Sequence, residues 1–149
     1  MIVTFDSNVL VYAVDTLAGE SHTAAMGVLD RASRANGVLL LQSMAEFFRV
    51  TTAKLGFSAP DARSVLARWR AVFPVHAADE AAFNLATAII EDHRIAFWDA
   101  MIVAAAREAG CGVLLSEDLQ DGRTIAGVQV LNPFDPANAA RLDAALEAP

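Results

Sequence analysis

The chain has 149 residues, 55% of them hydrophobic, enough to bury a core of its own, yet no run approaches the roughly 18 apolar residues that a membrane span needs. A net charge of −7, from 18 acidic against 11 basic residues, excludes a protein that coats nucleic acid through bulk charge. The one cysteine, Cys111, has no partner for an internal disulfide and reads as a buried, inert thiol; with no basic leader ahead of the first strand, no signal peptide is expected and a reducing cytoplasm fits.

Ile2-Val3-Thr4-Phe5 is a β-branched and aromatic run, read as a buried strand. It stops at Asp6-Ser7-Asn8, short polar residues that favour a helix N-cap, and Val9, Leu10, Tyr12 and Ala13 resume at helical spacing. A second helix starts at Gly19-Glu20-Ser21, turns Ala24, Ala25, Val28, Leu29 and Ala32 to one face, and ends at Asn36-Gly37. Val38–Leu41 is the second predicted strand. Ser43 followed by Glu46 then has the spacing of a capping box opening a helix that runs to Lys54 and stops at Gly56.

Ser58-Ala59-Pro60-Asp61 opens the next helix, with Val65, Leu66, Trp69 and Val72 inward, and Pro74 closes it. Val75-His76 is a short edge-strand candidate. Asp79-Glu80 begins a helix that runs past Ile90 to His93-Arg94, acid at its start and base at its end as the macrodipole prefers. Phe97-Trp98-Asp99 leads into a helix over Ala100–Ala109, stopped by Gly110. Val113–Leu115 is a strand, Ser116–Gly122 a polar loop, and Val128–Leu131 a last strand ended by Asn132-Pro133-Phe134. Asp135 or Asn138 starts an alanine-rich C-terminal helix, expected on the surface. Strands alternating with helices predict one α/β domain over residues 1–149, a mostly parallel sheet covered on both faces.

Four acids fall at strand ends or helix starts: Asp6, Glu46, Asp99 and Asp118. In a parallel sheet those positions open onto one edge, so a shared site is expected, although each acid also has a local use as a cap or dipole partner. Clustered carboxylates repel unless some are protonated or a cation sits between them. A hard divalent ion, Mg²⁺ or Mn²⁺, answers that, and it takes phosphate oxygens as further ligands. His22, His76 and His93 lack zinc spacing, and no glycine-rich phosphate loop is present.

Asp6-Ser7-Asn8, the run from Gln42 to Val50 (QSMAEFFRV), Phe97-Trp98-Asp99-Ala100-Met101-Ile102 and Leu115-Ser116-Glu117-Asp118-Leu119 occur in that order, with Gly122, Gly127-Val128 and Asn132-Pro133-Phe134 behind them. Over nearly its whole length the chain resembles the PIN-domain ribonucleases, and most of all their VapC-type toxin branch. The resemblance implies a three-layer α/β/α fold and a Mg²⁺- or Mn²⁺-dependent endoribonuclease, usually a homodimer, held inactive by a cognate antitoxin. It implies that Asp6, Glu46, Asp99 and Asp118 form the acidic quartet that holds the metal, with Asp6 and Asp99 innermost. Asn8 and Ser116 would orient carboxylates or water, as would Asp121 where some relatives carry a further acid; Glu117 is expected to point away. Arg49 stands three residues from Glu46 and is a candidate for a substrate phosphate, or else an ordinary ion pair with Glu46. Arg94 and Arg123 are weaker phosphate candidates. An aspartyl-nucleophile phosphatase also places an Asp after its first strand, but it needs a second acid where this chain has Asn8. A non-catalytic PIN-like RNA- or partner-binding module is the other alternative.

Overall fold

Val3–Phe5 forms the opening strand, β1, and lies in the middle of the sheet with all three residues buried. That is where a β-branched and aromatic run belongs when both faces of a sheet are covered. The structure is a computed structural model and describes residues 1–148. After β1 come α1 (Ser7–Tyr12), α2 (Glu20–Arg34), β2 (Gly37–Leu40), α3 (Leu41–Lys54), α4 (Ala59–Val72), β3 (Val75–His76), α5 (Glu80–His93) and α6 (Phe97–Glu108). The chain continues with β4 (Val113–Leu115), β5 (Thr124–Ile125), β6 (Val128–Leu131) and α7 (Ala139–Ala145).

The strands order as β3-β2-β1-β4-β6-β5, all parallel except β5, which runs antiparallel to β6. Alternating side chains feed two cores. Val3, Phe5, Leu39 and Leu115 meet the layer built by α1, α2, α3 and α4, while Leu40, Leu114 and Val130 meet α5 and α6. The expected three-layer α/β/α arrangement is therefore present. With β2 on one side of β1 and β4 on the other, the strand order reverses at β1. The carboxyl ends of β1 and β4 form the crevice where open α/β sheets place ligands.

Four local expectations need correction. No capping box opens α3: β2 ends at Leu40 and the helix starts at once with Leu41, so Ser43 is already in the first turn. Its buried hydroxyl donates to the Phe5 carbonyl oxygen at 2.7 Å and ties α3 to the end of β1. The α6 helix begins at Phe97 rather than Ala100, which puts Asp99 in its first turn. Val72 is 57% exposed, because the chain leaves the helix at Phe73 and turns that ring into the core instead. The alanine-rich C-terminal helix also contributes to the core, through Ala145 and Leu146.

Strand β5 was not expected. It is two residues long and joins β6 through Ala126 and Gly127, both at positive φ (50° and 81°), as a tight primed hairpin turn requires. The buried Cys111 thiol is pushed up to about 12 by its burial, which agrees with an inert role.

Gly37 starts β2 against Phe73, and a Cβ there would lie 2.5 Å from that buried ring. Gly37→Ala is predicted to destabilise the fold by about 1–3 kcal/mol in urea unfolding, since the packed ring has to shift to admit the methyl group. Gly27→Ala, on the open face of α2 with nothing within 4 Å, is predicted to stabilise it by about 0.5–1 kcal/mol. Equal effects of the two substitutions would refute this account of the close approach.

Candidate active site

Asp6 leaves the carboxyl end of β1 and caps α1, its Oδ1 accepting from the Ser7 N–H at 2.7 Å. Its other oxygen accepts from the Ser116 hydroxyl at 2.7 Å and from the Asn8 amide at 3.3 Å. Capping and a place in the crevice are thus not alternatives for this residue, because its two oxygens serve different partners. Ser116 is buried directly after β4, and its hydroxyl oxygen accepts in turn from the Asp118 and Leu119 N–H groups at 3.2 and 3.3 Å. Asn8 completes the net by donating to Asp118 Oδ2 at 3.1 Å and accepting from the Glu117 N–H at 3.3 Å. The loop after β4 is therefore bound to the loop after β1, and Asp6 and Asp118 are held in fixed orientations.

Asp99 comes to the same place from the first turn of α6, and Glu46 from α3. The four acids, with Ser7, Gln42, Ser43, Trp98 and Ile102, line one cleft of about 110 Å³. Gln42 Nε2 donates to the Trp98 carbonyl at 3.0 Å, joining the starts of α3 and α6 across that cleft.

Charge and burial act together on the acids. Burial raises Asp6 above the usual carboxylate range, and the charges of Asp118 and Asp99 add to the rise, against the opposing hydrogen bonds from Ser116 and Ser7. Asp99 is raised by burial and then by Asp118. These acids feel one another's charge, the situation that a divalent cation relieves. Among the described residues no three His, Cys, Asp or Glu side chains are gathered closely enough to make a ready-formed coordination shell. An oxygen-lined, open cleft with separated carboxylates suits an ion that keeps several waters and takes one or two carboxylates plus substrate oxygens, as Mg²⁺ does. It does not suit a closed all-protein cage.

The remaining predicted residues divide. Asp121 lies outside the cleft: it accepts from the Asn132 N–H at 2.8 Å and from Asn138 Nδ2 at 2.9 Å, fastening the C-terminal segment. Its slight burial raises its pKa, but the Asn138 and Asn132 hydrogen bonds outweigh this and hold it below the usual range. Arg49 forms the ordinary pair with Glu46, at a loose 3.8 Å. Arg94 is exposed and ends α5 in the left-handed region at φ 53°. Arg123 Nη2 donates to the His93 carbonyl at 3.2 Å, so it closes α5 rather than facing the cleft. Glu117 is exposed and is not among the residues lining the cleft. Gln42, Ser43 and Trp98 received no site role from the sequence, because their positions depend on contacts between elements far apart in the chain.

The model of the PIN domain matches residues 3–122. No curated protein matches the chain in sequence. Among solved structures it is similar to a toxin-antitoxin complex from Klebsiella pneumoniae, with 20% identity and a TM-score of 0.64 over 89% of this chain and 98% of that one. It is also similar to VapC20 of Mycobacterium tuberculosis, a sarcin-ricin loop cleaving toxin, at 15% identity and a TM-score of 0.63 over 78% of this chain and 89% of that one. VapBC2 of Rickettsia felis, bound to a DNA fragment from its promoter, gives 16% identity and a TM-score of 0.65, covering 89% and 98%. At these identities the likeness shows the fold alone.

The raised pKa of Asp99 has a sign that can be tested. The folded state holds its proton to higher pH than the unfolded chain, so the stability linked to this group is fully present below the ordinary carboxyl value of 3.8 and is lost as pH rises through the raised one. With chelator present, Asp99→Asn is predicted to melt at a higher temperature than the parent at neutral pH, and the advantage should vanish in acid. A parent and variant that melt together at neutral pH would mean that neither burial nor the charge of Asp118 disfavours the ionised Asp99.

Proposed function

The chain belongs to the PIN-domain family, and on that premise we propose that residues 1–149 form a single metal-dependent endoribonuclease domain, the toxin of a type II toxin–antitoxin pair. The observation that carries this is the convergence of Asp6, Glu46, Asp99 and Asp118 on one cleft, from four separate elements. Asp6, Asp99 and Asp118 would hold Mg²⁺ or Mn²⁺, with Glu46 acting directly or through water. When bound, such an ion supplies an acidified water and neutralises charge on the phosphoryl group.

The chain's own residues prepare that site. The Ser116 hydroxyl donates to Asp6 and the Asn8 amide to both Asp6 and Asp118, which restrains the rotation of the two carboxylates. Glu46 has a half-exposed side chain whose only ionic partner among the described residues is the loosely placed Arg49, which leaves it able to turn toward an incoming group. Arg49 is correspondingly available to a phosphate oxygen, and exposed Arg94 is a second such candidate. An acid in place of Asn8, which a phosphatase of the aspartyl-nucleophile type requires, would put one more negative charge beside Asp6 and Asp118 and remove the donor both use.

Water-driven hydrolysis needs no 2′-hydroxyl, so the choice of RNA rests on the family resemblance. The similar structures include a toxin-antitoxin complex, which supports a cognate antitoxin as partner; a homodimer acting in the cytoplasm is what the family resemblance implies. Among the described residues no helix is long and apolar enough to cross a membrane.

Asp6→Asn and Asp99→Asn are each predicted to lower Mg²⁺-dependent cleavage of an RNA pool by more than about a hundredfold, beyond what losing an orienting neighbour costs. Ser116→Ala, which removes only the orienting hydroxyl, is predicted to lose about 10- to 100-fold. Millimolar Mn²⁺ should raise the melting temperature of the parent, and less that of Asp99→Asn, because the ion binds the folded state. Cleavage at the parent rate by either Asn variant would refute the assignment; metal and RNA binding with no cleavage by the parent would make the domain a binding module.

A further inference from the structure

The cleft has an acidic floor and, among its lining residues, no lysine or arginine. Arg49 is turned to Glu46 and Arg123 to His93, and the whole chain is negatively charged. A polyanion thus meets no cationic side chain in the cleft lining itself, and Arg49 and Arg94 stand outside it, so an uncharged contact inside the cleft would add to its affinity. The one aromatic residue in the lining is Trp98, next to Asp99 in the chain and 64% exposed. An indole left so open on the surface of a folded domain is unusual, since large aromatic groups are mostly buried.

Trp98 is also held in place. Gln42 donates to its carbonyl oxygen, and its ring packs edge-on against Phe97 with centroids 4.9 Å apart, leaving it no other aromatic partner among the described residues. Phe97 leans in turn on Phe83 at 6.3 Å, and both are partly exposed. The result is a braced, outward-facing indole at the rim of an acidic cleft. A nucleobase is the chemical group that complements it: flat, uncharged, and joined to the phosphate that the acids would handle. Stacking is tolerant of sequence and works where charge does not help.

We propose that Trp98 stacks on a base adjacent to the phosphodiester in the cleft, so that the strand has to be unpaired at that base; this rests on the nuclease reading given above. In a duplex the base faces are already occupied by neighbours and the indole has nothing to cover.

The test separates stacking from cleavage. Trp69→Phe leaves Trp98 as the only tryptophan of the two in the chain. That protein is titrated with a short single strand carrying bases on an uncharged methylphosphonate backbone, and with its abasic counterpart. Quenching of Trp98 fluorescence by the first and not by the second is expected. On natural single-stranded RNA with Mg²⁺, Trp98→Ala should raise KM by about tenfold, with Trp98→Phe restoring most of the loss, and the annealed duplex should be a poor substrate. No quenching, together with RNA cleavage by Trp98→Ala at the parent KM, overturns the stacking role and leaves the nuclease assignment standing. Base-dependent quenching by a parent that cuts no RNA does the reverse. If Trp98→Ala alters only the self-association of the chain or its hold on a protein partner, the indole belongs to a protein interface and the proposal fails.

Discussion

A half-buried carboxylate at the end of the central strand is the constraint on which the rest of this structure depends. Asp6 is held where water cannot solvate it well, and its proton affinity is raised accordingly. The surroundings answer with donors. The Ser7 N–H takes one oxygen and the Ser116 hydroxyl the other. Ser116 reaches Asp6 only because β1 and β4 pair in register, Phe5 beside Leu115, so that their next residues emerge side by side. Without that pairing the hydroxyl and the acid are 110 residues apart in the chain.

The same logic explains why structural and functional uses of these polar residues coincide. Asp6 caps α1 with one oxygen and faces the crevice with the other. Ser43 resembles a cap in sequence but binds the Phe5 carbonyl, which draws the start of α3, and with it Glu46, toward the end of β1. Gln42 then fixes α3 to α6 at Trp98, so that Asp99 enters the cleft from the opposite side. Each tie is a single hydrogen bond of modest net worth, about 0.5–1.5 kcal/mol in general. Their effect is positional: they bring separate helix starts to one point.

The electrostatic character of that point also sets what it can bind. Acids in a small cleft repel each other and any phosphate, so a cation has to mediate and an uncharged contact has to add affinity. The separated carboxylates of the lining are suited to a hydrated hard ion, and the exposed indole beside them to a base. The arginines that sequence inspection offers for phosphate contact are partly engaged elsewhere, Arg123 most clearly, since the segment after the β4 loop turns into the β5–β6 hairpin and carries it to the end of α5.

Local pattern alone determined the alternation of strands and helices, the two-sided burial of β1 and most helix caps, because periodicity, Ser58 and Asp79 at N-caps, and Pro74 act over a few residues. It also singled out Asp6, Glu46, Asp99 and Asp118, since acids near strand ends and helix starts recur in a way that local capping explains only one at a time. Glu46, expected in the first turn of α3, stands in its second because that helix begins at Leu41. Tertiary structure decided the rest. It decided that Ser43 is a tie and not a cap, that Phe73 and not Val72 turns inward, that Asp121 and Arg123 serve the scaffold, and that Trp98 stands in the cleft. Those outcomes depend on which strands are neighbours and where a helix axis points, and such contacts between distant segments leave no periodic trace in the chain.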